Sequence, residues 1–254
     1  MKHRSFAKVN IFLKITGSDG DYHTISSRFM RVDSLFDEIW FESKNTPEFE
    51  IVGDFDCDTA SNTIYRAYKQ LQSYTNSDRL SAFFETHRVC VNKNIPSFAG
   101  LGGGSSNAAT FLHMCNEAAE LDLDIETLAE IGSSVGSDVA FFIYGYKSAN
   151  VNGTGDIVER FDEQPLELEL FHSDIKISTP AIYSHYRANH YNPISEAKAK
   201  ELESMSSLEI LEKLSPIDAN DLYPVALELY ENLTQKDGWF FTGSGSTFFR
   251  INNG

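Results

Sequence analysis

Between Ala99 and Thr110 the chain reads AGLGGGSSNAAT, with four glycines in five positions followed by two serines. Glycine loses more backbone entropy on folding than any other residue. A cluster of four is therefore costly unless the main chain must adopt an unusual conformation there or approach another group closely. The flanking residues have to show which group that is.

The segments on either side of the cluster favour an anion site. Residues 88–92 (RVCVN) form a short strand pattern, and the residues after the cluster repeat apolar side chains at helical spacing. The order strand, glycine loop and helix start brings free N–H groups and the positive end of a helix dipole together at Ser105, Ser106 and Asn107. The repeated apolar residues of that helix are Ala108, Leu112, Cys115 and Ala119.

The loop matches neither of the two common phosphate-loop patterns. Ser105 stands where a Walker A loop needs its lysine and where GxGxxG needs its third glycine. Lys93, seven residues upstream of Gly100, can supply the missing positive charge. A flexible turn that caps a helix is the alternative that the residues alone leave open.

Composition limits the classes of partner. The 254 residues are 41% hydrophobic and 13% aromatic, which predicts a folded globular protein. The formal net charge of −16 argues against nucleic acid as the main partner, because phosphate backbones need a basic surface. A small anionic ligand needs only one basic pocket and stays possible.

The cysteines and the hydropathy pattern predict a reduced, cytoplasmic protein without membrane spans. Cys57, Cys90 and Cys115 are odd in number and lack zinc-site spacing, so we expect free thiols, mostly buried. No segment approaches the ~20 apolar residues of a membrane span. The oligomeric state leaves no signal in the sequence.

Mixed patterns along the chain predict an α+β fold of two domains, residues 1–158 and 159–254, divided in the acidic stretch 159–164. Predicted strands cover residues 8–15, 27–32, 37–42, 88–92, 139–146, 166–170 and 175–178, and the C-terminal GWFFTGSGSTFFRI is predicted as strand, glycine turn and strand. Predicted helices cover residues 62–74, the stretch after the glycine loop, 125–135, 195–202, 208–214 and 224–233. Turns are predicted at GSDGDYH and at NGTGD, residues 152–156.

Three motifs in order give the chain a family resemblance. PSFAGLGGGSSNAA resembles the central motif of the GHMP kinases, FAKVNIFL their first motif, and TGSGSTFF their third. Together they span nearly the whole chain. Ser137 and Ala140 replace the alanine and proline of the usual GADVPFF, and GSGS replaces the commoner GTGA; neither departure removes a titratable group.

The resemblance implies a two-domain kinase with its active site in a cleft, and it implies roles for individual residues. Asp138 would be the catalytic base and Lys8 its partner, although the residues alone favour a helix cap and a solvated strand residue. The shared motifs are those of members whose substrate is a cytidine diphosphate sugar alcohol. On that basis Asn10 would contact the alcohol end, and Tyr22, His23 and Tyr183 the cytidine. Without the resemblance, His23 would be interpreted as a surface turn residue and Tyr183 as a core residue.

The resemblance also implies ATP as phosphoryl donor, accompanied by Mg²⁺. Mg²⁺ would be held through the ATP phosphates, with the hydroxyl of Ser105 or Ser106 as the best protein contact. Two rivals stay open: a homoserine or mevalonate type of the same family, and a nucleotide-binding regulator without catalysis. The residues assigned to ATP are Asn62, Lys93, Gly100, Leu101, Gly102, Gly103, Gly104, Ser105, Ser106, Gly243 and Gly245.

Overall fold

The computed structural model describes residues 1–252, in which helices and strands are mixed along the chain. This mixture confirms the α+β class. The strands are β1 His3–Asp19, β2 Tyr22–Ser43, β3 Ile51–Val52, β4 His87–Asn92, β5 Ser148–Gly153, β6 Ile157–Arg160, β7 Leu168–His172, β8 Phe240–Phe241 and β9 Thr247–Ile251. The helices are α1 Thr63–Thr75, α2 Asp78–Thr86, α3 Gly103–Ala118, α4 Ile125–Val135, α5 Val139–Tyr144, α6 Thr179–Asn189, α7 Glu196–Ser204, α8 Ser207–Lys213, α9 Pro216–Ala219 and α10 Tyr223–Leu229.

The chain groups into two compact units, each built from several segments. The first unit contains Met1–Ala7, Asp33–Ile95 and Gly103–Gly145. The second contains Lys8–Val32, Pro96–Gly102 and the chain from Tyr146 onward. Strands β1 and β2 contribute residues to both units. The boundary between residues 158 and 159 divides the chain in sequence and stays a prediction.

The first unit packs α1, α3, α4 and α5 together and contains a short sheet. The second half of β2 pairs antiparallel with β4, from Glu38 opposite Asn92 to Ser43 opposite His87, and β3 pairs with β4 in parallel. The sequence predicts that helix α1 begins near Ser61 or Asn62, and the structure has Asn62 as the N-cap, with its side chain accepting a hydrogen bond from the Ile64 N–H. The predicted apolar face of α1 is buried, and it consists of Ile64, Ala67, Tyr68 and Leu71.

The second unit contains the other half of β2 and a separate small sheet. Here β2 pairs antiparallel with β5, from Ile25 opposite Gly153 to Met30 opposite Ser148, and β5 pairs with β6. The small sheet has the order β7-β9-β8. The hydrophobic core of the second unit includes α6 and α10. The side chains that these two helices bury in it are Ile182, Tyr186, Tyr223, Val225 and Ala226.

Several predicted elements are wrong. Residues 139–146, predicted as a buried strand, form helix α5, which ends at Gly145 in the left-handed conformation. A short continuous apolar run does not distinguish a buried strand from a buried helix, and only the glycine stop favoured the helix. Residues 27–32 and 37–42 belong to one strand, β2. Residues 175–178 lie outside the strands and lead into α6, whose N-cap is Ser178.

Other predictions at this level are confirmed. Helix α4 has the predicted bounds, and α3 starts at the glycine cluster. Cys90 and Cys115 are buried, Cys57 is exposed, and all three thiols are free. Across residues 1–252, no helix combines the length and apolar character that crossing a bilayer requires.

Candidate active site

The start of α3 is packed so closely that its first two positions favour glycine. A β-carbon on Gly103 would lie 2.9 Å from Cγ2 of Ile95, and one on Gly104 would lie 3.2 Å from Oγ1 of Thr63. Thr63 donates a hydrogen bond of 2.7 Å to the Gly104 carbonyl, which ties the first turn of α1 to the first turn of α3. Helix α3 therefore begins inside the glycine cluster, two residues before the predicted Ser105, and both serines lie in its first turn.

A buried ion pair stands beside this helix start. Lys93 forms a salt bridge with Asp37, whose side chain is fully buried, and donates to Oδ1 of Asn107 at 3.0 Å. The other carboxylate oxygen of Asp37 accepts from the N–H groups of Asn94 and Ile95 at 2.6 and 2.8 Å. The ammonium also lies 3.5 Å from where a Gly103 β-carbon would be. Lys93 is thus held next to the glycine loop, as its assignment requires.

The polar network continues into the serine pair. Asn107 donates to Oδ2 of Asp37 and to Oγ of Ser5, each at 2.9 Å. Ser5 donates to Oγ of Ser106 at 2.8 Å. Ser106 is buried and Ser105 is half-buried, so Ser105 is the more accessible hydroxyl at this helix end.

Asp138 lies in the same unit, at the turn between α4 and α5. It is half-buried and stands at the N-cap position of α5, but its carboxylate makes no capping hydrogen bond to that helix. A β-carbon on Gly136, two residues before it, would lie 3.8 Å from Oγ of Ser105. The turn that holds Asp138 therefore packs against the start of α3, and the helix-cap alternative loses its main support.

Asn62 has a clear structural role. It is 5% exposed and its side-chain oxygen caps α1. Its assignment to the adenine end of ATP stays a prediction.

In the second unit, Lys8 and Asn10 form one buried group on β1. Lys8 donates to Oδ1 of Asn10 at 2.7 Å, and its ammonium lies 4.4 Å from the centroid of the Phe29 ring. The Asn10 side chain donates to Oγ of Ser27, and its main-chain N–H donates to Oγ1 of Thr242 at 2.8 Å. Lys8 is 3% exposed, so it is not the solvated strand residue that the bare sequence favoured.

The start of the central motif and the third motif meet within this unit. Gly100 and Gly245 have positive φ angles of 72° and 91°. A β-carbon on Gly100 would lie 2.3 Å from the Thr242 carbonyl oxygen, and one on Gly243 would lie 3.3 Å from Oδ1 of Asn10. The turn 242–246 therefore packs against residues 99–101.

His23 lies in an aromatic cluster, which we define as His23, Tyr183, Tyr186 and Tyr191. Its ring centroid is 5.3 Å from that of Tyr183, 5.7 Å from that of Tyr186 and 6.0 Å from that of Tyr191. His23 is 8% exposed, and its Nε2 is buried with no hydrogen-bond partner in residues 1–252. Burial lowers the pKa of the imidazole below its ordinary value of 6.5, and Arg187 lowers it further. Both effects favour the neutral imidazole.

The structure brings together His23 and Tyr183 but leaves Tyr22 apart from the cluster. Tyr22 is 69% exposed and no described contact joins it to the cluster. The sequence does not indicate Asp37 at all, and it does not indicate the side-chain contacts of Asn107 and Thr242. In the sequence, nothing distinguishes Asp37 from the other acidic residues of its strand. Its pairing with Lys93 is visible only in the structure.

A family profile matches the first unit's helical segment. The profile described as "GHMP kinases N terminal domain" matches residues 62–146, which include the glycine loop and Asp138. A solved 4-(cytidine 5'-diphospho)-2C-methyl-D-erythritol kinase has the same fold, with a TM-score of 0.76, 24% identity, and coverage of 100% of this chain and 91% of that one. The chain belongs to the GHMP kinase family.

Two curated relatives are much more similar in sequence. The protein of Sulfurimonas denitrificans is 50% identical over 255 residues, which cover 98% of this chain and 96% of the relative. That of Sulfurovum sp. is 46% identical over 248 residues, with 96% of each chain covered. Both bear the name 4-diphosphocytidyl-2-C-methyl-D-erythritol kinase.

Proposed function

We propose that this chain is an ATP-dependent kinase that phosphorylates the 2-hydroxyl of 4-diphosphocytidyl-2-C-methyl-D-erythritol in the non-mevalonate route to isoprenoid precursors. The observation that carries the proposal is the similarity, over nearly the whole chain, to relatives that bear this kinase's name. The rival of homoserine or mevalonate type is not favoured, because none of the relatives reported above bears such a name.

The start of α3 supports the assignment to ATP phosphates. Phosphoryl transfer depends mainly on positioning and on neutralising charge around the transferred group. The main chain of Gly102–Ser106 would bind the phosphates at the positive end of the α3 dipole. Lys93, held by Asp37 and Asn107, would add a fixed positive charge at the same place.

Asp138 is proposed as the base. Its carboxylate would accept the proton of the 2-hydroxyl while the oxygen forms its bond to the γ-phosphorus, and the bond to ADP breaks. Lys8 would stabilise the developing negative charge on the substrate oxygen, and Asn10 would orient the alcohol. The proton ends on Asp138 and the phosphoryl group on the substrate, so the step balances.

The aromatic cluster supports the assignment of the cytidine part. Nε2 of His23, which is buried without a partner, would hydrogen-bond to the polar edge of a nucleobase once the neighbouring rings move to admit it, and Tyr183 would stack on the base. Such stacking contributes ~1–3 kcal/mol per base. Tyr22 is proposed for the same part from the resemblance, although its exposure makes its contribution smaller.

Mg²⁺ fits the oxygen-rich chemistry at the start of α3. The accessible Ser105 hydroxyl, with the phosphates and water, is the ligand set that Mg²⁺ prefers. When bound, the ion would neutralise charge on the phosphates of ATP. A cytoplasmic location, with a small-molecule substrate and without nucleic acid as partner, also stays a proposal; it rests on the free thiols and the acidic composition.

A substrate-dependent turnover assay tests the proposal. We expect ADP to form with the cytidylyl substrate and not with homoserine or mevalonate, and CDP to compete with that substrate. A nucleotide-binding regulator would show no substrate-dependent turnover. Formation of ADP only with homoserine or mevalonate would contradict the assigned substrate.

The Asp138→Asn variant tests the assigned base. We expect kcat to fall by ~10²–10⁴-fold with ATP binding largely retained, because the amide cannot accept the proton. Asp122→Asn is the matched control: Asp122 is exposed in the same unit and has a positive φ that asparagine tolerates. Wild-type kcat in Asp138→Asn would show that the base is another group.

A further inference from the structure

Two histidines and one glutamate of the second unit aim their ligand atoms at one point on the surface. Nε2 of His190 lies 2.8 Å from Oε2 of Glu228, and Nε2 of His185 lies 3.2 Å from the same oxygen. All three ligand atoms lie within 4.8 Å of one another. We propose that His185, His190 and Glu228 form a binding site for a zinc-class divalent metal ion.

The spacing of these atoms suits a tetrahedral ion. Zinc lies about 2.0–2.1 Å from imidazole nitrogen and carboxylate oxygen, so neighbouring ligand atoms of a tetrahedral site are about 3.3 Å apart. The two nitrogen–oxygen distances are already close to that value, and small side-chain rotations make room for the ion. Three protein ligands leave the fourth position to water.

The main chain holds the ligands in place before any ion binds. His185 lies in α6, and His190 is the C-cap of that helix, with its N–H donating to the Tyr186 carbonyl at 2.8 Å. Glu228 lies in α10. The two helices pack through the buried side chains of Ile182, Tyr186, Val225 and Ala226. The site is therefore set up by the core of the unit and does not depend on a flexible loop.

The surroundings of His185 also suit metal binding. The Asn189 side chain lies 3.4 Å from Nδ1 of His185 and 3.2 Å from its carbonyl oxygen. The Asn189 amide donates to that carbonyl oxygen and so stays beside the His185 ring. The ligand side chains are between 29% and 51% exposed, which leaves a path for the ion.

The ligand set selects the class of ion. Imidazole nitrogen suits zinc, copper and nickel, whereas magnesium prefers oxygen ligands and water. The Mg²⁺ proposed for the start of α3 therefore would not fill this site. An ion here would link α6 to α10 and raise the stability of the folded chain by mass action.

Zinc titration of the full chain, followed by calorimetry without nucleotide or substrate, tests the proposal. We expect one zinc ion per chain in a large excess of Mg²⁺. His190→Ala and Glu228→Gln should each weaken zinc binding by at least about tenfold, since even outer partners of metal ligands contribute that much. At a hundredfold excess over Kd, zinc should raise Tm by roughly 5–10 °C in the wild type and much less in the variants.

His87→Gln is the control, because His87 is a partly exposed histidine of the first unit and lies outside this cluster. Cobalt should give the intense visible absorption of a tetrahedral site in the wild type and the control only. Absence of zinc binding, or binding unchanged by both ligand variants, would overturn the proposal. The substrate assay above is unaffected by either result, so the two hypotheses fail separately.

Discussion

The start of α3 and the aromatic cluster around His23 are built in opposite ways. At the start of α3, Asp37, Lys93 and Asn107 satisfy one another inside the protein. In the aromatic cluster, the rings are in contact but Nε2 of His23 is buried without a partner. The first region is complete before a ligand arrives, whereas the second is not.

This difference predicts where substitutions will act. Removing one member of a buried, hydrogen-bonded ion pair destabilises the fold, because the other member keeps a buried charge without a partner. A buried polar atom without a partner already costs the folded state free energy, which a ligand can recover by bonding to it. Variants at the start of α3 should therefore lower stability, and variants in the aromatic cluster should mainly lower substrate affinity.

The largest effect is expected where the glycine motifs meet. Gly100→Ala places a methyl group 2.3 Å from the Thr242 carbonyl oxygen, and the φ of residue 100 is 72°. The main chain must therefore move. We expect a loss of more than about 3 kcal/mol in the free energy of unfolding or failure to fold. Gly20→Ala is the matched control, because Gly20 also has a positive φ but nothing within 4 Å; its loss should be about 1 kcal/mol.

Urea unfolding and soluble yield measure both glycine variants. Equal losses of stability in Gly100→Ala and Gly20→Ala would show that the contact with Thr242 is unimportant and that the positive φ alone explains the destabilisation.

Removing the charge of Asp37 should lower the free energy of unfolding by nearly as much. Asp37→Asn leaves the partly buried Lys93 without a carboxylate and presents an amide N–H₂ group to donors, so we expect a loss of about 3 kcal/mol and weaker ATP binding. The neighbouring Glu38→Gln breaks an exposed pair with Lys2 and leaves a long hydrogen bond from Asn92 with an amide partner, so it should change neither quantity measurably. Chemical denaturation and nucleotide titration give both values. A stable Asp37→Asn with normal ATP affinity would remove the ion pair from the phosphate site.

In the aromatic cluster, the same type of change should affect binding more than folding. Tyr183→Leu removes the stacking surface, and we expect Kd for CDP to rise by about 5- to 150-fold, which corresponds to 1–3 kcal/mol. ATP affinity should stay the same. Tyr22→Leu is the matched control, because Tyr22 is 69% exposed. A larger effect in Tyr22→Leu than in Tyr183→Leu would move the cytidine site to the exposed side of the β1–β2 turn.

The sequence was sufficient where a motif is local. The sequence predicts the glycine cluster ahead of α3, an α1 N-cap at Ser61 or Asn62 and the bounds of α4, because glycine clusters, capping side chains and helical periodicity act over a few residues. The roles proposed for Asp138 and Lys8 come from the family resemblance, since a lone aspartate after a helix usually caps the next one. Its carboxylate makes no such cap here.

The sequence was insufficient where partners are distant in the chain. Asp37 contacts Lys93, which follows 56 residues later, and Asn10 contacts Thr242, 232 residues later. No periodicity marks such pairs. Helix α5 was missed for another reason: six apolar residues fit a buried strand and a buried helix equally well, and packing against α3 and α4 decides between them.

The smallest expected effect is a pH dependence that belongs to His23. In the folded chain the pKa of His23 lies below 6.5, with burial as the main cause and Arg187 as the second. Below that pH the unfolded chain binds a proton that the folded chain does not, so stability falls as pH decreases from about 7.5 to about 5.5. Burial also lowers the pKa of His172, but Asp174 opposes that shift. We therefore expect His23→Gln to reduce the acid-side loss of stability more than His172→Gln does. Urea midpoints of the wild type and the two variants at both pH values measure this. If the dependence of stability on pH is the same in His23→Gln as in the wild type, the His23 imidazole is not its source.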